Sequence, residues 1–173
     1  MKQNFEIKAR LLDRQGAREG ALALGAKASH VEAQRDTFFH ARRGRLKLRV
    51  VEGEGAGAWL IGYERGDHSE ARISSYTLVE IADPDGLREA LAGTLGIRGE
   101  VIKTREILHW RNVRIHLDEV DGLGDYLEYE AVLSDAEGED KESSDESLRI
   151  LCAAMGIEGS ERVAVAYADL LGI

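Results

Sequence analysis

Cations in this chain recur at alternate positions. Lys8 and Arg10, Lys47 and Arg49, and Lys103 and Arg105 form three such pairs, and Arg65, Arg72 and Arg114 add single cations in similar segments. Residues two apart on an extended strand share a face. The spacing therefore predicts strand faces lined with long cations, answered by carboxylates at Glu6, Asp118, Glu128 and Glu130. Like charges on neighbouring strands repel by several tenths of a kcal/mol per close pair. A polyphosphate would offset that repulsion, because arginine forks and lysine point charges both bind phosphate oxygens. Carboxylates beside them suit Mg²⁺ or Mn²⁺, hard ions that bridge phosphate oxygens to one or two protein carboxylates. The expected chemistry is a metal–polyphosphate site built on strands.

The elements that must position these residues alternate with period two. They are 4–12, 45–51, 59–65, 72–81, 100–108, 112–120 and 126–133, with 38–44 continuing as a hairpin into 45–51 through Gly44. In each, an apolar set opposes the charged one, as Phe5, Ile7, Ala9 and Leu11 oppose Glu6, Lys8 and Arg10. Helices are predicted near 15–24, from Asp83 as cap and Pro84 as first residue to Leu95, over 143–155, and over 160–171 with Ser160 as cap. Leu87, Leu91 and Leu95 share one helix face, and Gly25, Gly96, Gly156 and Gly172 stand at the four helix ends. Strands outnumber helices and are joined by short links, which points to an antiparallel sheet in an α+β fold. Two arrangements fit the charged faces: an open sheet with that face in water, or a closed barrel with it lining the bore.

Composition bounds the function. The chain has 173 residues, read as one domain over 1–173, with one cysteine and a net charge of −9. Residues 135–146 alone hold seven acids and one lysine, a net of −6, and read as a solvated loop entering a helix. The acidic total disfavours nucleic acid bound over the outer surface, and no apolar run suits a membrane span. The first residues lack the apolar core of a signal peptide, so a cytoplasmic location is expected. Cys152 cannot form an internal disulfide and reads as helix packing, and the scattered histidines lack zinc-ligand spacing. His116 is set apart because it shares a face with Arg114 and Asp118. The alternating glycines of 53–62 lack both phosphate-loop patterns and read as a hairpin loop. Tyr63 and Tyr76 share faces with cations, Trp59 and Trp110 read as packing, and Tyr167 reads as helix packing or a lid.

The order of these segments resembles the CYTH superfamily of triphosphate tunnel metalloenzymes, and within it the class IV adenylate cyclase branch. The resemblance rests on N-F-E-I-K-A-R at 4–10, D-T-F-F at 36–39 with G-R-L-K-L-R at 44–49, and L-I-x-Y-x-R at 60–65. It continues through R-x-S-x-Y at 72–76, V-x-K-x-R at 101–105, V-R-I-H-L-D at 113–118, L-G-D-Y-L-E-Y-E at 123–130 and Y-A-D-L-L at 167–171. It implies an eight-stranded antiparallel closed barrel forming a tunnel for triphosphate. Lys8, Arg10, Lys47, Arg49, Arg65, Lys103, Arg105 and Arg114 then correspond to triphosphate-binding cations, joined by Arg72 from the strand pattern. Glu6, Glu128 and Glu130 match metal carboxylates, Asp118 is a further candidate, and catalysis is assigned to Glu6, Lys8, Glu128 and Glu130. Asn4 stands where the family signature begins with Glu, which removes one charged ligand. The resemblance implies cyclisation of ATP to cyclic AMP and pyrophosphate, a phosphorus–oxygen lyase reaction. The same site could instead hydrolyse inorganic triphosphate, thiamine triphosphate or a nucleoside triphosphate, or bind nucleotides without turnover. The expected partner is a small triphosphate, and a homodimer stays open.

Overall fold

The computed structural model describes residues 2–64, 72–132, 141–157 and 162–173, and the side chains of 7–64, 76–130, 146–157 and 162–173. Eight strands alternate with few helices: β1 (Lys2–Arg10), α1 (Arg14–Ala23), β2 (Lys27–Phe39), β3 (Arg45–Gly53), β4 (Gly57–Glu64), β5 (Arg72–Glu80), α2 (Pro84–Leu95), β6 (Ile97–Trp110), β7 (Val113–Val120), β8 (Gly124–Val132), α3 (Lys141–Ala154) and α4 (Tyr167–Leu170). All neighbouring strands pair antiparallel in the order β1-β5-β4-β3-β2-β6-β7-β8. β8 also pairs with β1, Glu128 facing Lys8 and Glu130 facing Glu6, so every strand has a partner on each side. Among the described residues no helix is long and apolar enough to cross a membrane.

The apolar strand faces explain how the sheet is covered. Ile7, Ala9 and Leu11 of the first segment, Val113, Ile115 and Leu117 of β7, and Leu127 and Tyr129 of β8 form one core with Ala17 and Ala21 of α1 and Leu148, Leu151 and Cys152 of α3. Each large aliphatic buried there is worth roughly 1.5–3 kcal/mol. Asp13 caps α1 by accepting from the Gly16 amide at 2.9 Å. At Gly20 a Cβ would lie 2.0 Å from the Ala154 carbonyl oxygen, so glycine there lets α3 approach α1. With helices on the apolar side, the charged faces of β1, β6 and β7 turn inward: Lys8 and Lys103 are 3% exposed and Asp118 is 0% exposed.

Two sequence expectations are corrected. The predicted strand over 38–44 instead ends at Phe39, and the preceding residues 27–37 are strand as well. Its outer register slips between Ala28 and His30, which breaks the period-two pattern there. The helix predicted over 160–171 is confined, within the described residues, to Tyr167–Leu170. Arg162 bridges Ala9 and the Val163 amide donates to the Lys8 carbonyl at 2.9 Å, so pairing with β1 holds this segment extended. Its expected cap, Ser160, lies outside the described residues. The helix expected from Asp83 to Leu95 is present as α2, with its Asp83 cap and Pro84 start; none of its residues is buried, and Leu95 is 41% exposed.

Candidate active site

The strands surround a cavity of about 380 Å³, lined by Lys8, Lys47, Arg49, Lys103, Arg105 and Arg114 together with carboxylates and aromatic rings. Six of the nine predicted cations thus meet in one space. Strand register brings them there, because each stands opposite an acid or another lining residue. Three clusters result.

On β2 and β3, Asp36 lies opposite Arg49. Its carboxylate accepts from Lys47 Nζ and from Arg49 Nε and Nη2, each at 2.7 Å. Burial would raise the Asp36 pKa, but Arg49 and Lys47 hold it well below the usual carboxylate range. Burial and the neighbouring Arg49 charge pull Lys47 down to about 7, against the opposing pull of Asp36. Asp36 appears in the sequence only within the D-T-F-F string. Its role could have been found from Glu32, Gln34, Asp36 and Phe38, which recur at alternate positions and all line the cavity.

On β6 and β7, Arg105 faces Asp118 and grips it with a two-pronged fork, Nε to Oδ1 and Nη2 to Oδ2, both 2.6 Å. Lys103 Nζ lies 3.1 Å from the same carboxylate, and the Tyr167 hydroxyl donates to it at 2.9 Å. Burial opposes ionisation of Asp118, yet Arg105 and Lys103 overcome it and lower its pKa. Asp118 therefore sits behind the cavity surface, committed to two cations and a phenol. Asp118, named from sequence as a candidate metal carboxylate, here anchors Lys103 and Arg105. Tyr167 is drawn into the same cluster: Lys8 Nζ sits 3.7 Å from its ring centre and Lys103 Nζ 5.0 Å, both cation–π contacts. Lys8 Nζ also donates to the Val165 carbonyl at 3.3 Å. Tyr167 packs with Phe38, Val101, Val120 and Tyr126, so α4 covers the end of the cavity where β2 and β7 finish.

On β1, β7 and β8 the carboxylates approach the cavity surface. Glu128 stands opposite Lys8 and His116, and Glu130 opposite Glu6 and Arg114. Glu128 Oε1 is 3.3 Å from Lys8 Nζ, and Glu128 also accepts from Arg105. Glu130 pairs with Arg114 at 2.9 Å. Burial would raise the Glu128 pKa, but Arg105, Lys8 and Lys103 hold it well down. Burial, then Arg105, lower the His116 pKa and favour the neutral ring. Its Nδ1 and Nε2 lie 3.9 Å from Glu128 and Glu130 respectively.

The remaining predicted residues divide. Arg10 is exposed at the end of β1 and does not line the cavity. Arg65 lies outside the described residues. Glu6 and Arg72 are described as backbone only, paired with one another across β1 and β5. Trp59, Tyr63 and Tyr76 line the cavity, whereas Trp110 is buried and donates to the Leu24 carbonyl at 3.1 Å.

Among the described residues no three His, Cys, Asp or Glu side chains converge as a cation site. Glu128 and Glu130, two residues apart on the same face and lining the cavity, offer hard oxygen donors of the kind a divalent cation shares with phosphate.

The CYTH domain model matches residues 2–161. The chain belongs to the CYTH domain family. No curated protein matches it in sequence. This CYTH chain is similar in fold to the PH1012 protein of Pyrococcus horikoshii OT3, with TM-score 0.82 and 23% identity over 98% of this chain and 99% of that one. It is also similar to a candidate adenylate cyclase from Vibrio parahaemolyticus, with TM-score 0.75 and 16% identity over 98% of each chain. A third similar structure is HpAC1 from Hippeastrum, a candidate adenylyl cyclase with a dominant triphosphatase activity. Its TM-score is 0.68, with 15% identity over 99% of this chain and 94% of that one. At these identities the likeness is one of fold.

Proposed function

We propose that this chain is a metal-dependent enzyme whose strands form a tunnel for a triphosphate, with ATP cyclisation as its reaction. The observation that carries the proposal is the convergence of Lys8, Lys47, Arg49, Lys103, Arg105 and Arg114 on one cavity. Those cations neutralise the phosphate chain and the charge that grows on the leaving pyrophosphate. The ribose 3′ oxygen forms a bond to the α-phosphorus as the bond from that phosphorus to the α–β bridging oxygen breaks. The bridging oxygen leaves with pyrophosphate, and the hydroxyl proton passes to water. Glu128 and Glu130, with Glu6 opposite Glu130 in register, would hold Mg²⁺ or Mn²⁺, which would supply positive charge to phosphate oxygens and activate the attacking oxygen. Asp36 and Asp118 act from behind by fixing where the cations point.

Hydrolysis of a triphosphate is the second reading, supported by the six cations that line the cavity, which suit the phosphate chain that ATP shares with inorganic triphosphate. Incubation with ATP or inorganic triphosphate and Mg²⁺ or Mn²⁺, with products separated, distinguishes them. Cyclic AMP with pyrophosphate supports cyclisation, and orthophosphate supports hydrolysis. Binding without turnover makes the chain a triphosphate-binding protein, and no binding at all overturns the tunnel reading.

A further inference from the structure

Glu32 and Gln34 differ from the other polar groups of the cavity. Asp36, Asp118, Glu128 and Glu130 are each paired with lysine or arginine. The partner of Glu32 is instead a histidine, His30, whose Nε2 lies 2.8 Å from Oε1. Nε2 donates to the carboxylate, and Nδ1 shares a hydrogen bond of 2.9 Å with the Ser29 hydroxyl, which fixes the ring. Arg105 stands opposite Glu32 in register but spends its guanidinium on Asp118 and Glu128. Gln34, 4% exposed, donates Nε2 to the other Glu32 oxygen. That contact orients the amide, so Gln34 Oε1 is a buried acceptor with no hydrogen-bond partner among the described residues. Both residues line the cavity.

A carboxylate and a buried amide oxygen side by side are acceptors. A deprotonated phosphate chain offers acceptors too, and a carboxylate facing it gains only repulsion. Hydroxyl and amine groups on the organic part of a substrate offer the missing donors. A buried acceptor left unpaired is destabilising, so this wall favours a ligand that supplies them. Asp36 lies four residues from Glu32 along β2, roughly 13 Å at about 3.3 Å per residue, and two from Gln34, roughly 7 Å, so Glu32 is the end of this wall farther from the Asp36-held cations.

We propose that Glu32 and Gln34 form a specificity site that accepts hydrogen bonds from hydroxyl or amine groups of an organic triphosphate, selecting it over inorganic triphosphate. The proposal rests on the triphosphate reading above and assigns the substrate's organic end to β2. Its test is calorimetric titration of wild type, Glu32→Gln and Gln34→Leu with ATP, 2′-deoxyATP, inosine triphosphate and inorganic triphosphate, each with Mg²⁺, with circular dichroism confirming the fold. Each variant is expected to weaken ATP binding about tenfold or more while inorganic triphosphate changes less than about twofold. The analogue on which the substitutions have little further effect identifies the donor: 2′-deoxyATP for a ribose hydroxyl, inosine triphosphate for the base amine. Equal weakening of ATP and inorganic triphosphate places the pair among the phosphate or metal contacts and overturns the proposal alone, as does unchanged ATP binding. A wild-type protein that binds neither ligand overturns the triphosphate reading with it.

Discussion

Replacing Asp36 by Asn tests whether the cavity's cations are held by internal acids. The substitution keeps the side-chain shape and removes one charge that accepts three bonds of 2.7 Å from Lys47 and Arg49. At an effective dielectric near 20, a close ion pair attracts by about 4 kcal/mol, and burial of both partners offsets part of this. Removing one member of a buried pair costs about 3–5 kcal/mol, because the other charge stays buried and unpaired. For a chain of this size that loss corresponds to a melting temperature lower by roughly 6–20 °C. Inorganic triphosphate should return part of it by taking the place of the lost carboxylate beside Lys47 and Arg49. The assay is thermal unfolding of wild type and Asp36→Asn across a triphosphate titration. The variant is expected to melt lower without ligand and to gain more from a given ligand concentration than wild type does. A loss under about 1 kcal/mol, or a smaller ligand-induced gain in the variant, refutes the reasoning.

Other perturbations address the remaining clusters. Glu128→Gln combined with Glu130→Gln should abolish metal-dependent turnover with the fold retained by circular dichroism; turnover at the wild-type rate would mean the metal is held elsewhere. Tyr167→Phe keeps the ring against Lys8 but removes the bond to Asp118, and should cost about 1.5–3 kcal/mol in urea unfolding; an unchanged midpoint would contradict that role. Lys47, at about 7 in the fold against 10.5 for an ordinary lysine, sheds its proton in the folded state first. The unfolded chain therefore binds more protons between these values, and this group's contribution to stability rises with pH from about 7 toward 10.5. Unfolding of wild type and Lys47→Met at pH 7 and pH 9 checks this, and an equal pH response in the two proteins would contradict it.

The strands whose alternation is unbroken were legible from the chain alone. Lys47 and Arg49 lie on the face opposite Leu46 and Leu48, and Arg114 and His116 on the face opposite Val113 and Ile115, so the face of each side chain follows from spacing, while the pairing register comes from the fold. β2 was not legible over most of its length, since the slip between Ala28 and His30 shifts the alternation and polar residues fall on both faces. Missing β2 meant missing Asp36, and with it the reason the cations tolerate one another. Repulsion between them is offset inside the protein by Asp36 and Asp118. The C-terminal segment misled for a different reason. Its residues favour helix locally, but the Val163 and Arg162 contacts with β1 are tertiary and outweigh local preference. Arg10 shares a face with Lys8 but stands at the last residue of its strand, where a long side chain turns to solvent.

The placement of α4 carries a consequence for traffic. With Tyr167 packed between Lys8 and Lys103 at one end, a molecule in the cavity has to leave by the end it entered. If ATP enters phosphates first, cyclisation leaves pyrophosphate on the inner side and the cyclic nucleotide nearer the exit. Release is then ordered, nucleotide before pyrophosphate, and pyrophosphate occupies the form of the enzyme that ATP must find vacant. Steady-state inhibition by pyrophosphate should accordingly be competitive with ATP. A noncompetitive pattern would mean a second way out.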